Sequence, residues 1–276
     1  MEKRHTKTLV SGDRNFDDLA HRFERNVYQS LKGKIRLGVI ERDLQEFSSE
    51  LFTASQKPLR ILDVGAGRAP ISIKLAQLGH RVTLVDVSVE MLKHAYADAE
   101  RAGVLDRIEF FHGSAQAYSE QAASVGNKSF DLILCHAVVE WLQSPQPLMI
   151  CLSNLLASGG LLSLSFYNVH GGVFKNLLRT NFKRINRQDF SGSKRSLTPR
   201  YPRTISEVFS WFELLPVTRL CHSGIRVFHD YIFNEQDRDR EPEELLKWEL
   251  FYSRESPFRE LGRYQHLLYK RLPAQI

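Results

Sequence analysis

Residues 63–70 read DVGAGRAP and follow the apolar run LRIL. Gly65 and Gly67 lack the Cβ atoms that would keep a backbone away from a ligand, so the stretch suits a nucleotide loop. Asp86 ends the next apolar run, 19 positions after Gly67, about where an acidic residue grips ribose hydroxyls. Asp63 stands two residues before Gly65. A carboxylate there repels a pyrophosphate but helps to orient a cationic sulfonium that carries an amino group. Pro70 takes the place where a dinucleotide fingerprint wants its third small residue, and proline suits the first position of a helix. Ser114–Ala115–Gln116, after the third apolar run, offer polar contact to an adenine. Together these residues favour S-adenosyl-L-methionine over a nicotinamide dinucleotide.

Such groups need a frame. Strand-like runs at 60–65, 81–86, 108–113, 130–137 and 161–168 alternate with helical patterns. These are ISIKLAQLG, opened by Pro70; VEMLKHAYADAERAG, behind Ser88 as an N-cap; and PLMICLSNLLASGG, ended by glycines. VTRLCHSGIRVFHDYIF and GRYQHLLYKRL read as two further strands, and QDRDREPEELLKWELFYSRES as a charge-rich helix with a solvated exterior. The pattern predicts an α/β fold built on a doubly wound, mostly parallel seven-stranded sheet. Ligands of such sheets sit at the carboxyl ends of the strands.

Charge is distributed unevenly. The net charge is +6, yet residues 170–203 carry nine Lys/Arg against Asp189 alone, which makes that segment +8 and the rest of the chain −2. A basic run is often only a solvated face; beside an active-site edge it suggests a polyanionic partner. Phe174, Phe182, Phe190 and Tyr201 interleave with these cations, as suits phosphate contact and base stacking. The expected organisation is a disordered leader (1–12) and one domain (13–276). Residues 13–55 form an N-terminal helical lid, and 169–203 a basic insertion after the fifth strand. No apolar run approaches the roughly 18 residues of a membrane span, and the basic N-terminus lacks the apolar stretch of a secretory signal. Cys135, Cys151 and Cys221 have no paired metal spacing, which fits reduced thiols in the cytoplasm and no bound metal.

With DVGAG stand RNFDDLAHRFERNVY, LILCHAVVEWL, SLSFYNVHG, LTPRYPR, GIRVFHDY and LGRYQH. On these stretches the chain, from about Asp13 to Arg271, resembles the class I S-adenosylmethionine-dependent methyltransferases. Within them it is similar to the bacterial group acting on 5-carboxymethoxyuridine of tRNA. It departs at Arg68–Ala69–Pro70, where relatives carry more glycine, and in the leader before Asp13. The resemblance implies methyl esterification of the carboxylate on a wobble uridine. It also implies that Arg36, Gly65, Ala66, Asp86, Ser114, Ala115 and His136 surround the cofactor, with Arg36 on the methionine carboxylate and Asp86 on the ribose. Candidate catalytic residues are Tyr167, Asn168 and His170 after the fifth strand, and Arg226 or His229 in GIRVFHDY as contacts for the substrate carboxylate. Each also has a plain structural reading: Tyr167 as partly core, His170 as a helix cap, Asp230 as partner of Arg226, and Glu140–Trp141 as the fixing of a turn. Two rival functions remain open at this point, a methyltransferase for a small-molecule acceptor and a non-catalytic cofactor-binding RNA scaffold. The oligomeric state is also open.

Overall fold

Strand β1 (Arg60–Val64) sends Ile61 to one face of the sheet and Leu62 and Val64 to the other, and each face carries its own apolar cluster. Burial on both faces explains why the parallel strands read as continuous apolar runs. The computed structural model describes residues 30–54, 57–124, 129–192 and 198–273. The predicted leader, residues 13–29 of the N-terminal segment, and Lys194 and Arg195 lie outside these.

β1 pairs in parallel with β2 (Arg81–Asp86) on one side and with β4 (Phe130–His136) on the other. β3 (Ile108–His112) lies outside β2, and β5 (Leu156–Tyr167) outside β4. β7 (Tyr264–Arg271) runs antiparallel between β5 and β6 (Val217–Ile225). The seven-stranded order is β3-β2-β1-β4-β5-β7-β6, and the order of connection switches between the parallel neighbours β1 and β4. That is where an open α/β sheet leaves a crevice for a ligand.

Helix α1 (Leu31–Phe47) lies over the β6–β7 edge, with Ile35, Val39, Ile40 and Leu44 fully buried. Helix α2 (Pro70–Gln77) starts at Pro70 as expected, and Ser88 caps α3 (Val89–Arg101) by accepting from the Met91 N–H. Helix α4 (Ala115–Ser124) follows β3, and α5 (Gln146–Leu155) precedes β5. After β5 come α6 (Val169–Leu178), α7 (Phe182–Arg187) and α8 (Ile205–Ser210); α9 (Pro242–Tyr252) and α10 (Phe258–Leu261) precede β7.

Three expectations need correction. LASGG belongs to β5 rather than to a helix end: a Cβ on Gly160 would meet the Phe130 carbonyl at 2.8 Å, so only glycine allows that approach. The strand expected over 217–233 stops at Ile225, because Arg226 takes a left-handed φ of 59° and the chain turns into a short 3-10 segment at His229–Tyr231. Helix α9 is not simply solvated, since Glu249 is fully buried. Among the described residues, no helix is long and apolar enough to cross a membrane.

Candidate functional site

The loop after β1 leaves the sheet through Gly65 (φ 64°), Gly67 (φ 55°) and Ala69 (φ 53°). Three left-handed residues within five turn the chain sharply enough for α2 to begin at once, and at Ala69 the Cβ makes that conformation costly. Arg68 steadies the loop with a forked pair to Asp98 on α3, at 2.7 and 2.8 Å. Gly65 is exposed at the crevice, and Ala66 beside it is buried. The Asp86 carboxylate accepts from the Gly67 N–H (2.9 Å) and the Ser88 N–H (2.8 Å), tying the first two βα turns together.

Buried acids gather at this crevice. Asp63 accepts a 2.6 Å hydrogen bond from Ser72, and burial pushes its carboxyl up to about 7 against that bond, with Asp86 adding repulsion. Glu140, in the turn after β4, is fully buried, and neither carboxylate oxygen has a hydrogen-bond partner. Burial raises it also to about 7, tempered by its own N–H, by Arg36, by the Tyr167 N–H and by Arg203, none of which reaches hydrogen-bond geometry with those oxygens. Arg36, on α1, lies near Asp63, Glu140 and His136. Burial, then His266 and Arg36, hold His136 well below the usual imidazole range, so it is neutral. Ser114 accepts from the Ala117 N–H and caps α4, while Ala115 is buried behind it.

A second cluster lies at the end of β5. Asp230 is surrounded by Arg226 Nη1 (3.7 Å), Arg263 Nε (3.6 Å), Lys175 Nζ (3.9 Å) and His229 Nδ1 (3.2 Å). Burial alone would raise Asp230, but Arg226, the His229 hydrogen bond, Lys175 and Arg263 outweigh it and hold the carboxyl far below its ordinary range. Burial lowers Lys175 to about 8 despite that acid. Arg263 covers the Tyr167 ring at 4.6 Å, and its Nη1 is buried without a partner. The Tyr264 ring lies between the two clusters, 5.9 Å from the Arg36 guanidinium and 5.3 Å from that of Arg226.

Not every sequence candidate joins these groups. Tyr167, Arg226 and His229 do; the His229 ring is buried against Asp230, and the His229 backbone N–H donates to Glu249. Asn168 is fully buried: its amide donates to the Glu260 and Gly262 carbonyls, and its oxygen accepts from the His170 N–H as the cap of α6. The His170 side chain is exposed. Arg203, counted with the basic segment, is buried and donates to the Val139 and Leu142 carbonyls and to Glu207. Glu140, Lys175, Arg263 and Tyr264 were not among the sequence candidates. HAVVEW and LGRYQH contain three of them, but a single Glu, Arg or Tyr in a motif does not reveal that it will be buried unpaired.

A profile for the methyltransferase domain matches residues 62–164, the cofactor half of the sheet. The tRNA 5-carboxymethoxyuridine methyltransferase of Escherichia coli K12 is 39% identical over 255 residues, 92% of this chain and 95% of that one. The chain belongs to that family, within the class I S-adenosylmethionine-dependent methyltransferases. A ubiquinone biosynthesis O-methyltransferase of Psychrobacter cryohalolentis is 29% identical over 138 residues, 50% of the methyltransferase and 51% of the relative. Magnesium protoporphyrin IX methyltransferase from Synechocystis, solved with bound S-adenosylhomocysteine, overlays with a TM-score of 0.59 at 16% identity, covering 93% of the methyltransferase and 96% of that chain. The cofactor is S-adenosylmethionine, and the crevice has the chemistry for it: unpaired buried carboxylate for a cation, a guanidinium for a carboxylate, and an acid at the end of β2.

Proposed function

We propose that this methyltransferase esterifies the carboxylate of 5-carboxymethoxyuridine at the wobble position of tRNA. The observation that carries this reading is the surplus of cations at Asp230. Arg226, Arg263 and Lys175 surround one carboxylate beside Tyr167, which leaves net positive charge in a half-buried site. A second carboxylate, supplied by the acceptor, balances that charge and gives the unpaired Arg263 Nη1 an oxygen to donate to. The substrate named for the 39% identical relative has such a carboxylate.

At the crevice, Gly65 and Ala66 let the cofactor approach the backbone. Arg36 meets its carboxylate, Asp86 its ribose hydroxyls, and Ser114 and Ala115 its adenine. Asp63 and Glu140 face its cationic end, with His136 beside them. Bound S-adenosylmethionine supplies an electrophilic methyl group. An ordinary carboxyl with a pKa near 4 is ionised at neutral pH, so the acceptor needs no base. The chain's own task is placement: a guanidinium holds one carboxylate oxygen and leaves the other free to point along the line of attack. Arg226 and Arg36, with the Tyr264 ring between them, would set the distance between acceptor and cofactor. Asn168 acts by holding the β5–α6 corner. The exposed cations Arg179, just after α6, and Lys183, Arg184 and Arg187 on α7 would take the tRNA backbone, and such a substrate implies a cytoplasmic enzyme.

The test is transfer from tritiated S-adenosylmethionine to tRNA that carries or lacks the oxyacetate uridine. Label only on the modified tRNA, released by mild alkali as from an ester, is the expected result. Label on a small acid without RNA, or binding without transfer, would overturn the proposal. Arg226→Ala is expected to lower kcat/KM for tRNA about 100-fold, as for loss of a buried charged contact, with cofactor affinity unchanged. An equal loss of cofactor binding would remove Arg226 from the acceptor side.

A further inference from the structure

Four buried or half-buried side chains on four elements are joined in one unbroken line. On α1, Asp43 Oδ2 lies 2.7 Å from His266 Nδ1 on β7. His266 Nε2 is 2.8 Å from Ser163 Oγ on β5, and Ser163 Oγ is 2.7 Å from His136 Nε2 on β4. Asp43, Ser163 and His266 are fully buried, so no water competes for these bonds.

The chemistry of Ser163 restricts the arrangement. One hydroxyl has one proton, so between two ring nitrogens it donates to one and accepts from the other. Asp43 takes the Nδ1–H of His266. Its other oxygen is held by Arg42 and Arg254, at 2.6 and 2.7 Å, and its negative charge is thereby balanced without an imidazolium. The arrangement that buries no further charge leaves His266 Nε2 as an acceptor from Ser163. Ser163 then accepts from His136 Nε2–H. His136 is neutral, and its remaining ring nitrogen, Nδ1, has no partner among the described residues. Cys221 lies beside Asp43 and His266, with ligand atoms within 4.8 Å of one another. Its thiol is pushed up to about 12 by burial and stays neutral, and the two arginines on Asp43 oppose a further cation there.

We propose that Asp43, His266 and Ser163 are positioning residues that hold His136 in its Nε2–H form, so that Nδ1 presents an acceptor to a donor group of the cofactor. This rests on the reading that His136 borders S-adenosylmethionine. Asp43 and Arg36 share α1, seven residues apart, so the same line fixes Arg36 against the β4 histidine.

The experiment is nitrogen-15 NMR of the histidine rings in the full chain, with and without cofactor. The expected spectrum has His136 protonated at Nε2 and bare at Nδ1, with Nδ1 shifting when the cofactor binds. Ser163→Ala should lose the fixed Nε2–H form and raise KM for the cofactor about tenfold, as for one buried partner removed, with kcat changed less. Ser163→Thr, which keeps the hydroxyl, should restore both. His136 protonated at Nδ1 in the wild-type chain overturns the relay, as does an unchanged KM in folded Ser163→Ala. If Ser163→Ala does not fold, the wild-type spectrum still decides. A cofactor-insensitive His136 with the expected tautomer would instead refute its place beside the cofactor and leave the relay standing.

Discussion

Glu140 and Asp63 are acids that a folded chain ordinarily pairs or exposes, because burying an unpaired carboxylate costs free energy in its charged form. Both have carboxyls raised to about 7 by burial. The unfolded chain releases the same protons near pH 4. The apo fold therefore binds more protons than the unfolded chain across that interval. The stability these two groups contribute is full below about pH 4 and is lost as pH rises through about 7. A cationic ligand favours their ionised forms. S-adenosylmethionine affinity should rise as pH increases from about 6 to 8, with proton release on binding, and Glu140→Gln should flatten that rise. Titration calorimetry in buffers of different ionisation enthalpy measures both, and equal affinity without proton release across this interval would show that neither acid faces the ligand's charge. The DVGAG loop made Asp63 visible as a candidate. Glu140 was not visible, because its lack of partners depends on where β5 and α1 bring Tyr167 and Arg36.

At the scale of elements, the GIRVFHDY stretch is held open by α9. Glu249 accepts from the Val227, Phe228 and His229 N–H groups at 2.7, 3.0 and 2.7 Å, satisfying a loop that has left the sheet. Arg226 enters that loop in a left-handed conformation, and this turns its side chain toward Asp230 and Tyr264 rather than along the strand. Glu249→Gln replaces one acceptor oxygen with a donor against these N–H groups. A loss of about 2 kcal/mol in unfolding free energy is expected, with weaker tRNA turnover and intact cofactor binding. Denaturant titration checks the first point, and wild-type stability would show that the loop holds itself. Charge alone suggested a solvated helix, since three glutamates and a lysine stand among the eleven residues of PEELLKWELFY. Which glutamate turns inward is decided by the loop that needs acceptors.

Over the whole molecule the positive charge has two destinations. Lys175 and Arg203 turn inward, one to Asp230 and the other to the carbonyls after β4. Arg179, Lys183, Arg184, Arg187 and Arg200 remain exposed, together with Phe182 at 54% exposure. Phe174 packs edge-on against Tyr231 at 5.1 Å and anchors the segment. If these exposed cations meet single-strand phosphates, log K falls linearly with log[salt], with a slope of about −0.7 for each. For five contacts, tRNA affinity should drop about 100-fold between 50 and 200 mM salt. Filter binding at stepped ionic strength measures the slope, and a flat response would remove the basic segment from the RNA interface.

The sequence by itself determined the sheet, the glycine loop, Asp86 and the helix start at Pro70, because each depends on local rules of strand periodicity, backbone freedom and capping. It also marked the motifs around the proposed acceptor site. Only the tertiary structure decided which residues in those motifs meet. Asp230 collects Lys175, Arg226 and Arg263 from α6, the loop after β6 and the turn before β7, and Asp43 reaches His136 through β7 and β5. Those encounters depend on β7 inserting antiparallel between β5 and β6, and no spacing along the chain encodes that placement.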